Sequence, residues 1–281
     1  MATIEISCCV GPGTEKYAEF FAKTCSSLAS QKHEIRYSAV LSGPNVFCPD
    51  GFRELARLKH TAKKIASNHA EALAETHKHV SGDYFVIADT DMAVTMLNWD
   101  EYCISNISEP IATIGTSFHC QSNRYKGFPC LFFCMFDSKI LASLQIDWTP
   151  ELIDEKSVCL SPLVDEDMAR FSNVQIGLPH DRDTAWKLCY YFRKAGYEGI
   201  EMPMKYSYEK GTLLPAINKK QKALFEKSKK NKVCMQEFHC NNELFATHMN
   251  SGRHHKFDES FSSLWRSRVA EYVDGKYGIK L

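Results

Sequence analysis

Two aspartates one residue apart, Asp89 and Asp91, follow directly on Tyr84-Phe85-Val86-Ile87-Ala88, a short continuous apolar run rich in aromatic and β-branched residues. Such a run is the pattern of a strand buried on both faces of a parallel sheet. Carboxylates two positions apart on an extended chain point to the same side, and hard divalent cations take oxygen ligands, so the pair can hold such an ion. In open α/β sheets ligands bind outside the carboxyl ends of the strands, where this pair stands. The bland alternative is a turn whose aspartates only cap a strand or helix.

Two further segments carry chemistry-bearing side chains. Leu178-Pro179-His180-Asp181-Arg182-Asp183 opens a helical pattern expected over residues 183–195. Asp181 or Asp183 can serve as a general base, and Asp183 equally suits an N-cap or first-turn acid favoured by the helix dipole. Asp165-Glu166-Asp167 is a competing acidic cluster, read as a solvated loop. Near the C-terminus, Thr247-His248-Met249-Asn250-Ser251-Gly252-Arg253-His254-His255 supplies imidazoles and a guanidinium. His248 is either an extra ligand, better suited to Mn²⁺ than to Mg²⁺, or a satisfied core histidine. Arg253 offers a charge-fixed fork for phosphate.

The elements that must position these groups alternate in type. A strand over 4–10, a turn at Gly11-Pro12-Gly13-Thr14, a helix over 15–28 and a strand over 34–41 predict a βαβ unit and a parallel sheet. A long helical pattern follows over 52–80, with a break near Ser67, and ends at Ser81-Gly82-Asp83. Further strands are expected over 111–117 and 129–136. Trp148, Trp99, Trp186, Tyr190 and Tyr191 can offer stacking faces to a ligand, Trp148 foremost because Asp147-Trp148-Thr149-Pro150 reads as a loop. Arg124, in the polar, loop-like stretch Asn123-Arg124-Tyr125-Lys126-Gly127, is a further candidate to meet a ligand. The Lys-rich stretch 219–232 is a solvated helix or loop, or a flap closing on a diphosphate.

Composition removes several classes. Lys+Arg and Asp+Glu number 34 each, so no global field recruits nucleic acid or an anionic membrane. No apolar run approaches the ~20 residues of a bilayer span. The first residues lack a basic leader and read as a strand, so no targeting signal is expected. The twelve cysteines include no Cys-x-x-Cys pair, and several lie in apolar runs, which predicts buried reduced thiols and a cytoplasmic setting. The Asn106-Ile107-Ser108 sequon is expected to be unused.

Taken in order, three segments resemble the core of GT-A fold, family-2-like nucleotide-sugar glycosyltransferases. They are Asn68-His69-Ala70 with the strand ending in Asp89-Thr90-Asp91, the block from Leu178 to Leu188 before Ala195-Gly196-Tyr197, and the run around His248. The small, unanchored, Cys-rich format resembles such enzymes of giant algal viruses or bacteria. The resemblance implies an α/β, Rossmann-like, mixed and mostly parallel sheet flanked by helices, in a single domain over 1–257. Residues 1–95 would form its donor half and 96–257 its acceptor half, with a helical tail over 258–281 packed on it.

It further implies Mn²⁺ or Mg²⁺ on Asp91, with Asp89 and His248, and a donor pocket lined by Val10, Gly11, Thr14, Asn68, Asp89, Thr90 and Arg253. Asp181 or Asp183 would be the base of an inverting transfer from a nucleoside-diphosphate sugar to a glycan or glycoprotein hydroxyl, with a retaining course as the alternative. Trp148 and Arg124 would meet the acceptor. In the family the acidic block opens with adjacent Glu-Asp, whereas His180 takes the place of that Glu. The rival readings are a Mg²⁺-dependent nucleotidyl- or phosphotransferase, although no Gly-x-x-x-x-Gly-Lys-Ser/Thr loop is present, and a non-catalytic carbohydrate-binding protein.

Overall fold

The computed structural model describes residues 1–59, 65–118, 127–153, 158–206, 235–249 and 259–281. Its first strand, β1 (Thr3–Val10), leads through the Gly11 turn into helix α1 (Glu15–Leu28), and the chain returns as β2 (Glu34–Ser42). Ala18, Phe21, Cys25 and Leu28 recur at helical spacing and form the buried face of α1. Next come β3 (Phe52–Leu58), α2 (Ile65–Lys78) and β4 (Tyr84–Ala88). Pairing of β1 with β2, of β2 with β3 and of β1 with β4 is parallel throughout. The order β3-β2-β1-β4 is the Rossmann-like half-sheet, whose chain switches sides between β1 and β4.

After β5 (Met92–Val94) and α3 (Trp99–Asn106), the sheet is completed by β6 (Ile111–Thr116), β7 (Phe133–Asp137) and, later, β10 (Glu198–Met202). The full order is β10-β6-β7-β4-β1-β2-β3, with β7 running against both of its neighbours and every other pairing parallel. Between these strands lie α4 (Ser138–Ser143), the small pair β8 (Leu160–Pro162) and β9 (Pro179–Asp181), α5 (Glu166–Phe171) and α6 (Leu188–Lys194). A second, antiparallel sheet is ordered β11-β12-β13-β5, with β11 (Met204–Tyr206), β12 (Gln236–Cys240) and β13 (Glu243–His248). The last helix is α7 (Glu259–Tyr277).

The large sheet separates two apolar cores. Along β4, Val86 and Ala88 enter one, while Phe85 and Ile87 enter the other, so the strand is buried on both faces as its composition predicts. Helix α7 contributes Trp265, Val269 and Val273 to the first core, with Trp265 edge-on to Phe20 at 5.5 Å. The ten cysteines among the described residues are free thiols, eight of them buried. Among the described residues no helix is long and apolar enough to cross a membrane.

Three expectations are corrected. Residues 52–58 form a strand instead of the start of a long helix: Phe52, Leu55, Ala56 and Leu58 mimic helical spacing, but pairing with β2 overrides it, and Phe52 packs on Tyr37 at 5.3 Å. Arg53, Glu54 and Arg57 then lie along an exposed sheet edge, which charged side chains protect from further pairing. The helix expected over 183–195 is confined to α6, because Ala185 is left-handed (φ 61°) and no α-helix continues through such a residue. Asp183 is therefore not its cap. Asp165-Glu166-Asp167 is no loop: Asp165 caps α5, its side chain accepting from the Met168 N–H at 2.8 Å.

Gly115 on β6 marks the tightest approach in the sheet, since a Cβ there would lie 2.3 Å from the Phe133 carbonyl oxygen and 2.8 Å from Cys134 Cα. Gly115→Ala is expected to lower stability by about 1–3 kcal/mol. Gly11→Ala, where a Cβ meets nothing within 4 Å, should stay within about 0.5 kcal/mol. Urea denaturation of the two variants measures the difference.

Candidate metal and donor site

Strand β4 ends at the switch point of the sheet and delivers Asp89, Thr90 and Asp91 beside the turn that ends β1. Backbone bonds hold this segment: the Asp89 N–H donates to the Phe132 carbonyl at 2.9 Å, and the Met249 N–H to the Asp91 carbonyl at 3.0 Å. Immediately afterwards β5 pairs antiparallel with β13, setting Met92 opposite His248. The register of this short pairing brings an imidazole from the far end of the sequence onto the two carboxylates.

His248 Nε2 lies 3.0 Å from Asp91 Oδ1 and 3.8 Å from Asp89 Oδ2. His248 and Asp91 are buried, and Asp89 is partly open. One ligand atom from each of the three residues falls within 4.8 Å of the others. Atoms this close would let Asp89, Asp91 and His248 together hold a divalent ion such as Mn²⁺ or Mg²⁺. Two carboxylates with an imidazole suit Mn²⁺ better, since Mg²⁺ prefers oxygen alone.

The surroundings of His248 orient it for this role. The Gln236 side-chain oxygen stands 2.7 Å from Nδ1, which makes Nδ1 the donor and turns Nε2 toward the carboxylates. Phe132 packs on the ring at 4.4 Å between centroids. Burial disfavours the imidazolium, yet the charge and hydrogen bond of Asp91, followed by the charge of Asp89, outweigh it and hold His248 above its ordinary value. The site thus demands positive charge between the aspartates, from a proton or from a metal.

The other expected residues divide. Thr90 is buried beside the pair. His69, on α2, comes within 4.0 Å of Asp89, and the neighbouring Asn68 has a buried Oδ1 without a hydrogen-bond partner among the described residues. Thr14 closes the turn, its hydroxyl accepting from the Gly11 N–H at 2.9 Å and donating to the Gly11 carbonyl. Val10 is fully buried, its side chain in the first core. Asp181 and Asp183 stand outside the three-residue group, at the end of β9 and in the turn before α6. Asp183 accepts from the Thr184 N–H at 2.7 Å, and Asp181 from the Asp183 N–H at 3.2 Å.

Trp148 is corrected: it is 2% exposed in the second core, its indole N–H directed at His77 Nδ1, and it offers no face to a sugar. Trp99 and Trp186 are likewise buried. Arg124, Arg253, His254, His255 and the stretch 219–232 lie outside the described residues. Sequence reasoning missed Gln236 and Phe132, and named His69 without giving it a role. Only His69 carried a signal, standing in the same helical segment as Asn68.

No protein-family model matches the chain, and no curated protein matches it. Among solved structures it is similar to the mannosyltransferase PcManGT from Pyrobaculum calidifontis in complex with GDP-Man and Mn²⁺, at 11% identity and a TM-score of 0.37, over 50% of this chain and 46% of that one. It is also similar to the galactosyltransferase LgtC in complex with donor and acceptor sugar analogs, at 11% identity and a TM-score of 0.35, over 48% of this chain and 58% of that one. The chain thus spans about half the length of the structures it matches. Likeness at this level carries no argument about chemistry.

Gln236→Leu removes the acceptor that fixes the His248 tautomer while keeping the volume. Mn²⁺ affinity, measured by calorimetry, is expected to fall about 10- to 100-fold, with a stable fold. Gln236→Glu, which retains an acceptor, should lose far less.

Proposed function

We propose that the chain is a metal-dependent glycosyltransferase that moves a sugar from a nucleoside-diphosphate donor to a hydroxyl of a glycan or glycoprotein. The observation that carries this reading is the convergence of Asp89, Asp91 and His248 at the carboxyl end of β4, beside the β1 turn. That is where a doubly wound sheet binds nucleotides. Asp91 and His248 would hold the ion, with Asp89 as the more open third ligand. When bound, the ion supplies Lewis-acid stabilisation of the departing diphosphate.

The protein's own residues do the rest in this reading. The Gly11–Thr14 turn and Asn68 flank the nucleoside, with the unpartnered Asn68 Oδ1 available to accept a hydrogen bond from it. Arg253 braces the diphosphate and Arg124 meets the acceptor. A carboxylate of the Asp181–Asp183 block takes the proton of the acceptor hydroxyl, and a single displacement inverts the anomeric centre.

The test is release of nucleoside diphosphate from UDP-, GDP- and dTDP-sugars with Mn²⁺. One donor should be hydrolysed slowly without acceptor. Chelation or Asp91→Ala should cut the rate by about a hundredfold or more, since Lewis-acid stabilisation is worth several kcal/mol. Pyrophosphate in place of nucleoside diphosphate would establish nucleotidyl transfer. Turnover of no donor, with no donor-induced rise in Tm, would favour a non-catalytic carbohydrate-binding protein.

A further inference from the structure

Where the two sheets meet, between β10 and the β12–β13 hairpin, lies a cavity of about 580 Å³ that none of the metal-site residues lines. Its volume falls within the roughly 300–1,000 Å³ of small-molecule sites. Its lining includes the turn end of the hairpin, whereas His248 stands at the other end of β13. Five residue steps of strand separate Glu243 from His248, about 17 Å.

The lining has a definite chemistry. Asn241 and Asn242 form the two-residue turn, both left-handed (φ 49° and 64°), which is the rigid hairpin type matched to strand twist. Neither carboxamide has a hydrogen-bond partner among the described residues, so each leaves two donors and an acceptor available in the lining. His239 is held from behind by the fully buried Glu237, with Nε2 to Oε2 at 3.1 Å, which fixes the ring in the cavity wall. Lys205 makes no ion pair among the described residues, and Glu201 supplies a carboxylate. Tyr102, half-buried, provides an aromatic surface.

One lysine against one glutamate leaves the walls close to neutral, which does not suit a nucleotide's phosphates or a polycation. Donors and acceptors that line one cavity together with an aromatic ring and apolar side chains instead match a neutral polyol, whose hydroxyls both donate and accept and whose C–H face packs on aromatics. We propose that this cavity is a saccharide-binding site, separate from the Asp89–Asp91–His248 centre. The ligand class follows from the lining alone and does not rest on the transfer reading.

The experiment titrates the ¹⁵N-labelled full-length protein with short gluco-, galacto- and manno-oligosaccharides at millimolar concentration. The side-chain amide signals of Asn241 and Asn242 are followed. At least one series should shift them saturably. Asn242→Gly, which keeps the left-handed turn while removing the carboxamide, should weaken that binding at least tenfold, and so should Lys205→Ala. Both variants should keep the wild-type backbone ¹H–¹⁵N signals away from the hairpin turn and β11, which shows that they are folded. Asp91→Ala should leave the saccharide affinity unchanged whether or not the protein transfers sugar. Absence of binding by every series, or binding that Asp91→Ala abolishes and Asn242→Gly spares, overturns the proposal.

Discussion

Like charge held close at the end of a buried strand sets the terms for the rest of the structure. Asp89 and Asp91 present carboxylate oxygens within 4.8 Å of each other, a repulsion of about 3 kcal/mol at an effective dielectric of ~20. Asp91 has little water to relieve it, being 5% exposed. The fold answers by registering β13 against β5 so that an imidazole lies on the pair, backed by Gln236 and covered by Phe132. A cation-shaped requirement is therefore built into the folded chain, and each surrounding element either creates or satisfies it.

The same hairpin serves two places at once. Its His248 end completes the charged centre, and its turn end forms the rim of the neutral cavity. The antiparallel ladder between them makes the separation rigid, in contrast to sites carried on loops. Strand β7, running against its neighbours, extends the Rossmann-like half-sheet toward β10, and β10 provides the opposite wall of that cavity.

What was legible in the sequence and what was not follows from the range of the forces involved. The strand before Asp89, the βαβ opening and the buried thiols are consequences of local composition, and they stand as read. Edge strand β3 was not legible, because its apolar spacing is helical and only the partner strand decides between the two. The cap of α5 by Asp165 and the break at Ala185 likewise depend on backbone angles that composition does not specify. Gln236 shows the limit most clearly. A regular ladder from the Asn241-Asn242 turn sets it opposite Thr247, on the wrong face, whereas a bulge between Phe238 and His239 moves it opposite His248. No residue type announces that bulge.

The bond between Asp91 and His248 spans 157 positions of the chain. Contacts of such separation close late, because the intervening loop entropy must be overcome first. A nascent chain emerging with β1 to β4 already paired would carry the two aspartates but not their third ligand, and would hold an ion only weakly. Assembly of the three-residue centre is thereby coupled to docking of the β12–β13 hairpin, which also brings Phe238, Leu244 and Phe245 into the first core: the chain cannot complete the ligand set without also completing that core.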